Sequence, residues 1–231
     1  MNSLLALLVF SALIASVNPC TMSVLIMSIA SLVGKGKNPR HVGLHTILFG
    51  TGVFLTYALI GSALLLVLTM LPIAIVGYIA VIVAFLICVF GLLEIKDYFW
   101  YGSGLSFKLS AKSEKKIHAW TKKHHSHIRG LLLGIYTALK LSHYTAILLV
   151  LAALIATLLA NGSLYLSVIW AFWYVLPILF IATLAATGVN PHNLLSWKEQ
   201  TKHTMRLSIG LLYVLLGWLV MVLLAGGLKL V

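Results

Sequence analysis

Asn18-Pro19-Cys20 lies in the middle of the first apolar run of this 231-residue chain. A proline there removes a backbone hydrogen bond and clashes with the preceding turn, and within lipid the freed carbonyl needs a partner or a wetted cavity. Broken helices at membrane depth build binding sites in transporters, and a thiol beside such a break can act as a nucleophile or a soft ligand. The plain alternative is a proline kink beside an inert, packed cysteine. Lys140 lies deep in a later apolar run, three residues before His143 and so on the same helical face. A charged lysine at the bilayer centre costs about 2.5–3.5 kcal/mol. It can hold an anionic group, or its stem can lead the amine toward water at the nearer membrane face.

Other residues of chemical type are placed less tellingly. Cys88 sits in the fully apolar stretch Leu86-Ile87-Cys88-Val89-Phe90, without a proline, and reads as a structural thiol. His41 and His45 share a face at i, i+4 at the start of the second run, a spacing that suits a metal and equally suits interfacial histidines. His124, His125 and His127 follow Lys122-Lys123 without cysteine or carboxylate company, so a solvated basic loop accounts for them. No metal set and no cofactor is expected.

The elements that must position these residues follow from composition. Apolar residues make up 61% of the chain and charged residues only 9%, against about 45–50% and about 25% in soluble globular proteins. Lipid is therefore the solvent for most of the surface. The apolar runs cover roughly 4–33, 42–70, 73–95, 130–159, 165–187 and 207–225, each long enough to cross a bilayer. The opening segment lacks a basic start and continues past Pro19, so it reads as a retained first helix rather than a signal peptide. Glycines in the second run, and at 210 and 217 in the sixth, suit close helix packing.

Charge sets the topology. Sixteen Lys and Arg against four Asp and Glu give a net charge of +12. Lys35, Lys37 and Arg40 fall in the first break, Lys96 to Arg129 hold eight more basic residues, and Lys198, Lys202 and Arg206 fall in the fifth break. The breaks near Met70-Leu71-Pro72 and Asn161-Gly162-Ser163 carry no charge. This alternation is the positive-inside pattern of a six-span protein with both termini outside, and it removes the case for a nucleic-acid partner. Residues 110–127 place Ile117 and Trp120 at helical spacing among lysines, as in a helix lying on the inner leaflet. Phosphate-binding glycine loops, Ser/Thr nucleophile patterns and paired carboxylates are missing. The four acidic residues fall at or outside the membrane edges, which disfavours hydrolases and ATP-driven pumps.

Several stretches resemble one family. SVNPC in the first run, GLLEIKDYFWYGSG at 91–104 leading into a lysine-rich loop, Trp173, Tyr174 and Pro177 in the fifth run, and GVNPHNLLSW at 188–197 before a glycine-bearing last run are similar to the cytochrome c biogenesis transmembrane proteins. These are the CcdA-like relatives of the DsbD membrane domain. The resemblance implies an all-α polytopic membrane protein of six transmembrane helices, built as two inverted three-helix repeats. These would be residues 1–95 and 130–231, joined by a basic cytoplasmic loop at 96–129, in a prokaryotic cytoplasmic membrane. It also implies thiol–disulfide electron transfer in cytochrome c biogenesis, from cytoplasmic thioredoxin to an extracytoplasmic thiol protein. One redox cysteine would lie in the first span and another in the fourth.

Cys20 matches the first of those positions, with Asn18 and Pro19 beside it. The second has no counterpart. Aligning residues 12–25 with 135–148 sets His143 opposite Cys20, and a one-residue shift sets Tyr144 there. Relay chemistry needs a second thiol to resolve the mixed disulfide, so three readings stay open: a thiol–disulfide carrier in degenerate form, a small-solute or soft-metal transporter on the same scaffold, and a non-catalytic subunit of a larger membrane complex. In the first two, Asn18, Pro19, Cys20, Lys140, His143 and Tyr144 are expected around one mid-membrane pocket; the third needs none.

Overall fold

The computed structural model describes residues 2–17, 19–100, 128–140, 143–160, 163–187 and 191–227. Among these residues the elements are helices and no strand occurs. In chain order they are α1 (Asn2–Ser16), α2 (Pro19–Val33), α3 (Pro39–Thr69), α4 (Ile73–Phe99), α5 (Ile128–Lys140), α6 (His143–Ala160), α7 (Tyr165–Ala186) and α8 (Pro191–Gly227). Most of the basic segment after α4, residues 101–127, lies outside the described residues.

Four helices carry an uninterrupted apolar stretch long enough to cross a bilayer: α3, α4, α7 and the 204–224 part of α8. The pairs α1/α2 and α5/α6 are bent by 47° and 79° at their breaks, and each makes one further span if taken together. The protein is thus a polytopic helical membrane protein with four to six spans.

Local chemistry explains the helix limits. α2 ends where Gly36 turns to φ 69°, a left-handed conformation that a side chain would strain. α3 starts with Pro39 at a position whose N–H has no intrahelical partner in any case. A tight turn through Leu71-Pro72 starts α4. Two helices run further than the apolar pattern predicts. α4 continues past Ile95 to Phe99, and α8 begins at Pro191 rather than near 207. No glycine or proline falls between Pro191 and Gly210 to stop the helix, so its polar start continues the helix ahead of the span instead of forming a loop. At 37 residues, α8 is about 55 Å long.

Burial separates an inner from an outer set. Residues 148, 149 and 151–157 of α6 are all buried, as are Leu7, Leu8, Ser11, Ala12, Ile14, Ala15 and Ser16 of α1. In contrast, only 33–44% of each apolar stretch in α3, α4, α7 and α8 is buried. Leu59, Val67, Phe85, Phe172, Phe180 and Trp218 of these four stand exposed, which suits contact with lipid. Hydroxyls inside the bundle are satisfied by their own helices: Ser11 donates to Leu8 O, Thr56 to Gly52 O, Thr137 to Leu133 O and Thr157 to Ala153 O. That is how isolated polar side chains are tolerated away from water.

Helices close on one another at glycines. Gly130 and Gly134, one turn apart on α5, lie against the backbone carbonyls of His45 and Phe49 on α3, while Gly52 of α3 lies against that of Leu131. Any Cβ at these three positions would collide with backbone. α4 and α8 cross in the same way: a Cβ on Gly91 would lie 2.7 Å from the Gly210 carbonyl oxygen, and one on Gly210 2.8 Å from that of Gly91. Small residues permit the approach, and van der Waals contact between the backbones then holds it.

Candidate functional site at the broken first span

Pro19 is the first residue of α2 and Cys20 the second, so the thiol is carried by the first turn after the break. His143 and Tyr144 are the first two residues of α6, and Lys140 is the last of α5. Asn18 lies outside the described residues, as do the side chains of Pro19, Cys20, His143 and Tyr144. Lys140 is exposed at the end of its helix.

Beside the first break lies a buried cluster of aromatic and hydroxyl groups. Trp170 and Tyr174 of α7 are one turn apart and stack at 5.5 Å between ring centroids, with 21° between planes. Tyr57 of α3 meets both edge-on, at 5.9 Å and 4.8 Å. None of the three is more than 2% exposed. Trp170 Nε1 donates to Ser11 Oγ at 3.0 Å, and the Tyr174 hydroxyl meets Thr21 Oγ1 at 3.3 Å. Ser11 is on α1 and Thr21 on α2, next to Cys20. The apolar pattern and the family resemblance draw attention to Tyr174. They do not single out Ser11, Thr21, Tyr57 or Trp170, although the four-residue spacing of Trp170 and Tyr174 was there to be read.

The cluster is dry. A cavity of about 10 Å³ adjoins Trp170 between α3, α6 and α7, lined by Gly61, Leu65, Ala152, Ala153, Leu166 and their neighbours. It is no larger than one water, and its walls are apolar. Ser167, also at its edge, has its hydroxyl engaged by Leu164 O and Ser62 Oγ, each at 2.8 Å.

Cys88 is placed elsewhere. Its half-buried thiol is directed at Val214 O of α8 at 3.6 Å, and Gly217 leaves the room into which its sulfur packs. His45 is buried and shares a 2.8 Å hydrogen bond with Ser28 Oγ of α2, whereas His41 is half-buried. His45 therefore serves the junction of α2, α3 and α5. Among the described residues no three His, Cys, Asp or Glu side chains form a set that could hold a metal.

A second polar feature lies where α4 meets α8. Arg206 Nη1 donates to Asp97 Oδ2 at 2.9 Å and stands 3.7 Å from Glu94 Oε2, while Lys96 Nζ is 3.0 Å from Asp97 Oδ1. Glu94, Asp97 and Arg206 are 3%, 2% and 6% exposed. The two carboxylates do fall near the end of their span, as the sequence indicates, but inside the protein rather than in water. The signal available beforehand was their spacing: at i and i+3 they share a face of α4.

No family model, curated protein or solved structure matches this chain.

Proposed function

We propose that the chain is a CcdA-like thiol protein of a prokaryotic cytoplasmic membrane, in a degenerate form that works through Cys20 alone. The observation that carries this reading is the matched pair of breaks in the two inner spans. α1 ends at Ser16 and α2 begins at Pro19; α5 ends at Lys140 and α6 begins at His143, so a gap of two residues recurs with the same offset. In that register Tyr144 corresponds to Cys20, and Thr21 corresponds to Thr145, both buried. Contacts between helices support two inverted repeats. α3 packs on α7 and α4 on α8, while α1 packs on α7 as α5 does on α3, and α2 on α8 as α6 does on α4. A pseudo-two-fold axis in the membrane plane relates such halves.

In this reading the Cys20 thiolate attacks one sulfur of a partner's disulfide and expels the other as a thiolate, leaving a mixed disulfide. No second thiol of this chain stands ready to resolve it. Resolution must come from a thioredoxin-type dithiol in the cytoplasm: its first thiolate takes over the Cys20 sulfur and releases the reduced partner. Its second thiol then frees Cys20 and leaves the dithiol protein oxidised. Two electrons pass from one protein to the other, and Cys20 returns unchanged. Lys140 and His143, at the second break, are the groups we assign to the same mid-membrane region.

The test is covalent trapping in membranes after rapid acid quench and alkylation. Wild-type protein should carry a reducible adduct at Cys20 that accumulates when the cytoplasmic dithiol system is depleted, and Cys20→Ser should abolish it. Absence of any adduct in both backgrounds would reject the thiol reading and leave a structural role.

A further inference from the structure

We infer that Trp170 and Tyr174 are positioning residues for the thiol site: with one hydrogen bond on each side of the break, they fix the two arms of the first span and so the turn that carries Cys20. The inference rests on the reading of Cys20 as the working thiol.

The geometry is specific to the break. Ser11 belongs to the arm before it and Thr21 to the arm after it, ten residues further along the chain. Their partners on α7 are only four residues apart, which is about 6 Å along a helix. One face of α7 thus reaches both arms. Tyr57 of α3 packs edge-on against both rings, so that moving either ring disturbs its contact with α3.

The two bonds differ in length, 3.0 Å for Trp170–Ser11 and 3.3 Å for Tyr174–Thr21, and the first is the tighter hold. The Ser11 hydroxyl gives its proton to Leu8 O at 2.7 Å and accepts the indole N–H, so both of its roles are filled. Thr21, Tyr174, Ser11 and Trp170 are each at most 1% exposed, so both contacts are made away from water. Fixing Thr21 on the α7 face fixes the rotation of the first turn of α2, of which Cys20 is part. At the second break α5 is held to α3 by glycine contacts.

Simple core packing would tolerate removal of the polar atoms alone; a bracket would not. The test uses purified full-length protein in lipid nanodiscs with Cys88→Ala, so that Cys20 is the sole thiol. It measures the rate of Cys20 modification by a small permeant methanethiosulfonate across pH. Tyr174→Phe, Thr21→Val and Trp170→Phe should each alter that rate by about fivefold, the equivalent of one hydrogen bond. Tyr174→Phe with Thr21→Val should equal either alone, and Thr21→Ser should keep the wild-type rate. Rates and pH profiles unchanged in all of these variants would overturn the inference. If Tyr174→Phe fails to fold, Thr21→Val and Thr21→Ser decide the matter. Trapping of a partner at Cys20 is scored separately: its loss in the wild type rejects the proposed function, whereas unchanged rates with trapping intact reject only the bracket.

Discussion

Arg206 and Asp97 are joined at 2.9 Å inside the protein, 109 residues apart in sequence, and they tie the start of the α8 span to the last turns of α4. Glu94 shares the same guanidinium nitrogen at 3.7 Å. One turn further into the membrane, Gly91 and Gly210 bring the two backbones together. The glycine crossing sets the distance at which one arginine can serve two carboxylates, and the ion cluster sets the register of the crossing.

Removing Arg206 should therefore be costly. Arg206→Leu takes the guanidinium from two buried carboxylates and leaves Asp97 with Lys96 at 3.0 Å, a loss of up to about 3–5 kcal/mol, the range for a buried pair deprived of one partner. Arg206→Lys should recover part of this, because a point charge replaces a fork of donors. Unfolding in mixed micelles gives the values, and a loss below about 1 kcal/mol for Arg206→Leu, the size of an exposed pair, would contradict the burial described for the cluster.

The glycines divide into two kinds. Gly210→Ala places a Cβ 2.8 Å from the Gly91 carbonyl oxygen and from Ile95 Cγ1, and should destabilise by about 1–3 kcal/mol through overpacking. At Gly77 a Cβ meets nothing within 4 Å, so Gly77→Ala should be neutral or stabilising by up to about 1 kcal/mol. Equal effects at the two positions in the same unfolding assay would argue against the α4–α8 crossing.

Much of this architecture was legible in the sequence, and the exceptions have physical causes. The six apolar runs and the Pro19 break follow from hydropathy and from the missing N–H of proline. The break between Lys140 and His143 has no proline to announce it and was visible only by comparing the two halves. Under the proposed repeat, the helix limits pair Tyr144, one of the two counterparts the sequence offers, with Cys20. Hydropathy also cannot tell a carboxylate at a wet membrane edge from one turned inward, which is why the pairing of Glu94 and Asp97 with Arg206 was missed. The bracket of Ser11, Thr21, Trp170 and Tyr174 joins residues up to 159 positions apart, and no local pattern encodes such a contact.

Topology can be tested at the two ends of α3. Lys35 is exposed in the turn before the helix, and Met70, 83% exposed, ends it. With single cysteines at these positions in a chain lacking Cys20 and Cys88, Met70→Cys should react with an impermeant maleimide in intact cells. Lys35→Cys should react only after the inner face is opened. The reverse pattern would overturn the assignment made from the charge alternation.

In the proposed function Cys20 works without a second thiol from its own chain. Cys88 is directed at Val214 O and packs against Gly217 on α8. Mass spectrometry of the purified protein after mild oxidation tests this most directly. No Cys20–Cys88 disulfide should form; Cys20 should be recovered as a free thiol or as an adduct to an external thiol, and Cys88→Ala should change neither. A reversible internal Cys20–Cys88 disulfide would contradict that reading and restore a complete two-cysteine relay.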